Sequence, residues 1–421
     1  MILMKKTLLF ASTFLISLGL FAQEEKEVIT DSLYANDVYY SLVNGTVTTV
    51  DRDNWDIAFV AQQMSVSVLA NNGSGVELYT YPDVDISDWA TLDTTGLVWP
   101  PEWPRMYNSI ETFDGAFNAN IDTSDQLDQG WGIYNMVNHH ITGDSLFVIK
   151  TISGAWKKLA IIQKAAMQNT WEFKYANLDG TEEKIDTIIA GDYPDNYFIH
   201  YSIDSMKIQD REPAKDDWDL LFTKYWDYTI PYNVTGVLIN DDHVLAQEVR
   251  ESGMDQSTQE GFVDTAFTDT ISVIGSDWKD YVFGTGWVLF DTVVYYLKTD
   301  GGDLNDSYYK LYFTDFTGSS EGKYTFMQEK IIPLSAQGNE AMNLLQVYPN
   351  PAADRINVVF DFMGRSDIDI IDMTGRLVHT THYDASGFTN LSLDVSSLNT
   401  GVFFIRVSAE GESNVLRFIK E

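Results

Sequence analysis

Hydrophobic positions along this chain recur every second residue in short runs, as in NGTVTTV (44–50), SVSVL (65–69), SLFVIKTI (145–152), KLYFTDF (310–316) and INVVF (356–360). The runs are rich in Val, Ile, Thr, Tyr and Phe and are broken by Gly, Asn and Asp, the pattern of half-buried strands closed by tight turns. Long amphipathic periods of helical spacing are scarce. The pattern therefore predicts an all-β protein of two or three sandwich- or barrel-like units, for which 421 residues suffice.

One strand pattern occurs twice. DNWDIAF (53–59) is echoed by DDWDLLF (216–222), with Trp55 answering Trp218, Asp56 answering Asp219 and Phe59 answering Phe222. In an extended segment Trp55, Ile57 and Phe59 share one face, as do Trp218, Leu220 and Phe222. Rings of this size at every second position supply a core wall. Asp56 and Asp219 point the other way and can accept hydrogen bonds from the amides of a neighbouring turn. Further landmarks follow in the same order: Asn72–Val76 with Asn233–Val237, WKKLAIIQ (156–163) with YYKLYFTD (308–315), and WEFKY (171–175) with YTFMQ (324–328). Ordered landmarks with drifting offsets predict two diverged copies of one fold, with insertions in the loops.

The last 76 residues read differently. They carry 10 acids and 6 bases, a net charge of −4 against −31 for the remaining 345 residues. Thr374-Gly375 and Asn399-Thr400-Gly401 supply tight turns between alternating strands. An independent small β-sandwich is expected here. At the other end, Lys5 and Lys6 precede 16 uncharged, mostly apolar residues that end at Ala22. That run is shorter than the ~20 residues a membrane helix needs, and it predicts a secretory signal. The expected organisation is a signal peptide at 1–22, a first unit at 24–200, a second at 201–335, a linker at 336–345 and a C-terminal domain at 346–421. No membrane span is expected.

Charge and composition exclude several functions. The formal net charge of −35 disfavours nucleic acid and anionic lipid surfaces as partners. With no cysteine there are no disulfides, thiolate metal sites or thiol nucleophiles. The Gly-x-Ser-x-Gly elbow, the His-Glu-x-x-His helix and the Gly-x-x-x-x-Gly-Lys loop are all missing, so the expectation is a protein without catalytic residues or a metal.

Two resemblances add to this reading. VYPNP (347–351), GRLV (375–378), LDVSSLNTGVFFIRV (393–407) and RFIK (417–420) resemble the type A C-terminal sorting domain of substrates of the Bacteroidetes type IX secretion system. The resemblance implies handling by that machinery, with Tyr348, Pro349, Asn350, Pro351, Gly375, Gly401 and Lys420 as residues of the signal, and delivery outside the outer membrane, free or attached to surface polysaccharide. NWDIAF (54–59), NNGSG (71–75) and WKKLAII (156–162), with DWDLLF (217–222), TGVLIN (235–240) and YYKLYFTDFTGSSEGKYTF (308–326), resemble the HmuY-like proteins. This second resemblance implies tandem all-β units that scavenge haem, hold its iron by His or Met side chains from loops, and deliver it to an outer-membrane receptor. The sequence has no lipid-anchor cysteine, and none of its His falls on a ligand motif of that family.

Among the six His, His139 and His140 in MVNHHITGD are the leading candidates for haem ligation, with Met136 beside them as a softer ligand. Met64 and Met254 are further candidates of the same kind. His200 alternates with Phe198 and Ser202 as an ordinary strand residue, and His379 and His382 fall in the C-terminal domain. Trp99 and Trp103, in WPPEWPR, either staple a loop onto the core or stack on a sugar or porphyrin. The expected function is thus that of an exported, non-enzymatic β-protein. It either captures haem or serves as a structural or adhesive surface protein that binds glycan or protein.

Overall fold

A computed structural model describes residues 23–92, 100–253, 255–257, 259, 262, 266–299, 307–331, 343–373, 375–409 and 412–421. The expected signal peptide, Trp99, Met254 and most of the expected linker lie outside these residues. The chain divides into two compact units, one ending at Ile331 and one beginning at Ile332. Among the described residues there are antiparallel strands and short 3-10 turns but no α-helix.

The N-terminal unit contains two aromatic-rich cores. In the first, the sheet ordered Lys207–Gln209, Phe198–Ser202, Ile57–Val60, Val68–Ala70 shares a core with the larger sheet built on Trp156–Ala165 and Thr170–Asn177. Alternation places Trp171, Phe173 and Tyr175 inward against Phe59 and Tyr201. In the second, the sheet ordered Tyr232–Ile239, Leu220–Asp227, Asn36–Ser41, Gly45–Asp51 shares a core with the sheet of Glu24–Ile29, Lys323–Ile331, Ser307–Phe316, Val293–Thr299 and Val244–Arg250.

Residues 200 and 201, the expected boundary between the first and second units, fall inside the strand Phe198–Ser202. The hairpin 36–51 does not join the Trp55 strand that follows it; it pairs with the Trp218 strand, Leu220 opposite Tyr40. Conversely, the hairpin 198–209 pairs back onto the Trp55 strand, Ile57 opposite Tyr201. The 3-10 turns Arg52–Asn54 and Lys215–Asp217 carry the chain from one core to the other. Each core therefore takes its Trp-Asp strand from one half of the sequence and a hairpin from the other.

Equivalent hydrogen bonds make the correspondence concrete. Asp56 N donates to Tyr201 O (2.9 Å), and Asp219 N donates to Tyr40 O (2.8 Å). The Asp56 carboxylate accepts from Ile152 N (2.8 Å) and Ile203 N (2.7 Å), while that of Asp219 accepts from Leu42 N (2.6 Å). Asn71 Nδ2 donates to Arg52 O and Trp55 O, and Asn240 Nδ2 donates to Lys215 O and Trp218 O. Strands 156–165 and 307–316 each carry a bulge, between Ile161 and Gln163 and between Phe313 and Asp315, and Ile161 faces Phe173 as Phe313 faces Phe326. One expected pairing is corrected. Asn72 begins a 3-10 turn closed by Gly75, whereas Asn233 lies inside a strand; by hydrogen bonding, Asn240 answers Asn71.

In the C-terminal unit, Arg355–Asp372 and Leu377–Asp394 pair along nearly their whole length. Asn343–Tyr348 borders one end of the former strand and Gly401–Ala409 the other. Ile356, Val358, Phe360, Ile370, Ile405 and Phe418 fill its core. The Asn350 carboxamide accepts from Ile419 N (2.8 Å) and donates to Arg417 O (3.3 Å), Gly401 pairs with Lys420, and Gly375 (φ 81°) closes the turn after Asp372.

Candidate functional site

The segment KDYVFGTGWVL forms a two-stranded hairpin of Lys279–Val282 and Gly286–Leu289. Its alternation puts Tyr281 directly opposite Trp287, with ring centroids 5.4 Å apart and planes at 70°. Phe283, at the turn, is 97% exposed, and Tyr281, Val282, Val288 and Phe290 are exposed as well. Trp287 packs edge-on against Phe316 at 5.1 Å. Its indole is admitted because residue 318 is glycine: a Cβ there would lie 2.3 Å from Trp287 Nε1, and the backbone holds φ at +64°, where a side chain is strained.

Between this hairpin and the far end of hairpin 220–239 lies a cavity of about 470 Å³, within the range usual for small-ligand sites. Tyr34, Tyr232, Tyr281 and Trp287 supply aromatic walls, and Asn233, Thr235, Ser276 and Asp280 supply polar groups. Two lysines also line it. Lys279 Nζ lies 4.1 Å from the Trp278 ring centroid and donates to Thr235 O (2.7 Å) and Ser276 O (3.4 Å); burial pushes this amine down to about 7. Lys224 comes from the middle of Leu220–Asp227, on the same face as Phe222. Burial first, and then the nearby Arg52, hold its amine below the ordinary lysine range, with Asp53 opposing. Flat rings, hydroxyl and amide groups and a cation together suit a polyhydroxylated ligand.

Two further cavities among the described residues lie between the two cores and are small, about 90 and 70 Å³. The buried Asp37, Arg211, Glu212 and His200 line the smaller one, together with Trp55 and Trp218. Asp37 accepts from Arg52 Nε (3.0 Å), Arg211 Nη2 (2.7 Å) and Thr223 Oγ1 (2.7 Å). Burial alone would raise its pKa, but the two guanidiniums outweigh burial and hold it below the usual range. This network ties the cores together. At the surface, Asp216, Asp242 and His243 bring possible ligand atoms within 4.8 Å of one another, but Lys215 Nζ already bridges the two carboxylates at 2.7 and 2.5 Å.

Of the residues singled out from the sequence, the His pair and Met136 share one turn. Met136 (70% exposed), His139 and His140 occupy a turn between strands Gly132–Tyr134 and Ile141–Gly143, where His139 Nδ1 meets the Tyr134 hydroxyl. None of the three lines a described cavity. Met64 is exposed. Trp103 is half-buried, edge-on to Tyr81 at 4.8 Å. The cavity residues Lys224, Tyr281 and Trp287 escape sequence reading because no motif marks them. The available signals are a lysine amid aromatics in FTKYW and a hairpin apolar on both faces.

Residues 346–421 match the family described as "Secretion system C-terminal sorting domain". No curated protein matches the chain. The sorting domain marks the protein for export by type IX secretion to the cell surface or the medium.

Proposed function

We propose that the exported protein is a non-enzymatic binding protein that holds a saccharide in the aromatic cavity beside hairpin 279–289. The observation that carries this reading is the wall of Tyr34, Tyr232, Tyr281 and Trp287 around about 470 Å³, with the polar residues Ser276 and Asp280 among its lining. Sugar rings present apolar C–H faces to aromatic planes and hydroxyl edges to polar groups, which is the division this cavity offers. Haem is not the proposed ligand, because Met136, His139 and His140 do not line this cavity.

The test is a titration of the full chain with a panel of oligosaccharides, followed by tryptophan fluorescence and calorimetry. Trp287→Ala should abolish saturable binding, whereas Trp103→Ala and His139→Ala should leave it unchanged. Binding that survives Trp287→Ala, or no saccharide binding at all, sinks this reading. A saturable Soret band on haem titration, lost in His139→Ala, would restore haem capture in its place.

A further inference from the structure

We propose that the cavity selects an anionic saccharide, whose single negative group, a carboxylate or a sulfate ester, docks on Lys224 Nζ. The inference rests on the saccharide reading above and adds the charge of the ligand. Buried lysines elsewhere in this unit are satisfied internally. Lys158 donates to Trp89 O (2.8 Å), Lys164 to Gln62 O (2.9 Å), Lys310 to Gln259 O (2.8 Å) and Lys279 to Thr235 O (2.7 Å). Lys224 is half-buried and lines the cavity, yet no hydrogen bond, ion pair or ring contact is found for it among the described residues.

A chain with 62 acids and 27 bases has carboxylates in excess, so leaving a half-buried ammonium without one is informative. Such a group is costly unless something completes it, and water does so only in part. Arg52 adds positive potential beside it, and Asp53 offsets that in part. Asp280, which also lines the cavity and accepts from Tyr281 N (2.8 Å), limits the net positive charge. One unpaired cation and one acid favour a monoanionic sugar with free hydroxyls over a polyphosphate.

The experiment compares three oligosaccharides of equal length on the full chain at low salt: one with a single terminal uronate, one with a single sulfate ester and a neutral one. At least one anionic ligand should bind about tenfold or more tighter than the neutral one, as expected for one charge-assisted contact. Lys224→Met should erase that preference, bringing the anionic ligands to the neutral ligand's affinity, and leave the midpoint of urea unfolding equal or higher. Lys224→Arg should retain the preference. Whether uronate or sulfate binds tighter names the source of the charge. Equal affinity for all three ligands, or a preference that survives Lys224→Met, overturns the anionic inference while the saccharide reading stands. No binding of any of the three overturns both.

Discussion

Arg52 and Arg211, each following a hairpin in an Asp-Arg pair, close on the two oxygens of one carboxylate: Arg52 Nε reaches Asp37 Oδ1 at 3.0 Å and Arg211 Nη2 reaches Asp37 Oδ2 at 2.7 Å. Arg211 also donates to Asp51 O, the residue before Arg52. The two chain segments that cross between the cores are thereby fastened at one buried point. Asp37→Asn would leave two buried guanidiniums without their counter-charge, at a cost of about 3–5 kcal/mol. A urea titration should show one cooperative transition moved to lower denaturant, with the change larger than for Lys215→Ala at the exposed pair. The folded carboxylate is held below its ordinary value, so its contribution is present above the ordinary aspartate range and is lost as pH falls through the lower folded value.

Much of this is legible in the residues, and the limit is physical. Alternation groups Trp55, Ile57, Phe59 and Trp218, Leu220, Phe222 on one face each, and all six are buried, but so are Asp56, Ala58 and Val60 on the other face of the first strand. Alternation says nothing about which strand pairs with which, so the crossing of hairpins 36–51 and 198–209 is invisible to it. The recurring signals Tyr40-Ser41 with Tyr201-Ser202, and Asp51-Arg52 with Asp210-Arg211, mark that exchange in the sequence. Turn chemistry decides the place of the His pair. Asn135 Oδ1 accepts from Val137 N, and Asn138 Oδ1 accepts from His140 N, curling the segment outward. The cavity is assembled from segments distant in sequence, and its lysine is notable only for the partner it lacks in space.

Glu212 gives a pH signature of opposite sign. Its carboxyl accepts from Tyr197 N (3.1 Å) and Phe198 N (2.8 Å), with His200 Nδ1 3.9 Å away. Burial pushes it up to about 8, against the pull of these amides and Arg211, and burial likewise keeps His200 neutral. A group whose folded value is raised contributes stability that is fully present below its unfolded pKa and lost as pH rises through the folded one. Stability should therefore decline between about pH 4.5 and 8. Glu212→Gln lowers the baseline, since an amide offers one acceptor oxygen for two donors. It should also flatten that decline, read as the difference in urea midpoint between mildly acidic and mildly alkaline buffer.

The sorting domain makes a separable prediction. The Asn350 carboxamide holds the terminal strand through Ile419 N and Arg417 O, and Ala352 N donates to Ile419 O (2.8 Å). Asn350→Ala removes two such bonds at a cost of about 1–3 kcal/mol to this unit. If the machinery reads the ordered last strand, fractionation should show less protein outside the cell and more in the envelope, with saccharide binding of the purified chain unaltered. Unchanged export would show that the strand's anchoring is dispensable to the signal.

Gly318 links backbone geometry to the cavity most directly. It makes no contact with a ligand in the proposed site, yet it lies beneath the Trp287 indole, which forms one wall. Gly318→Ala places a methyl group 2.3 Å from Trp287 Nε1 and forces a left-handed φ on a residue with a side chain, so Trp287 must swing or the 317–323 turn must shift. The conformational term alone is worth about 1 kcal/mol. Because Trp287 stands on a two-stranded hairpin, with few partners besides Phe316 and Tyr281, moving the ring is the easier relaxation. Far-UV circular dichroism and the urea midpoint should then change little while saccharide affinity falls about tenfold or more, comparable to loss of one stacking wall. A normal affinity in a folded Gly318→Ala protein would mean that Trp287 does not define the site. A collapse of the urea midpoint would mean that the turn, rather than the ring, absorbs the clash.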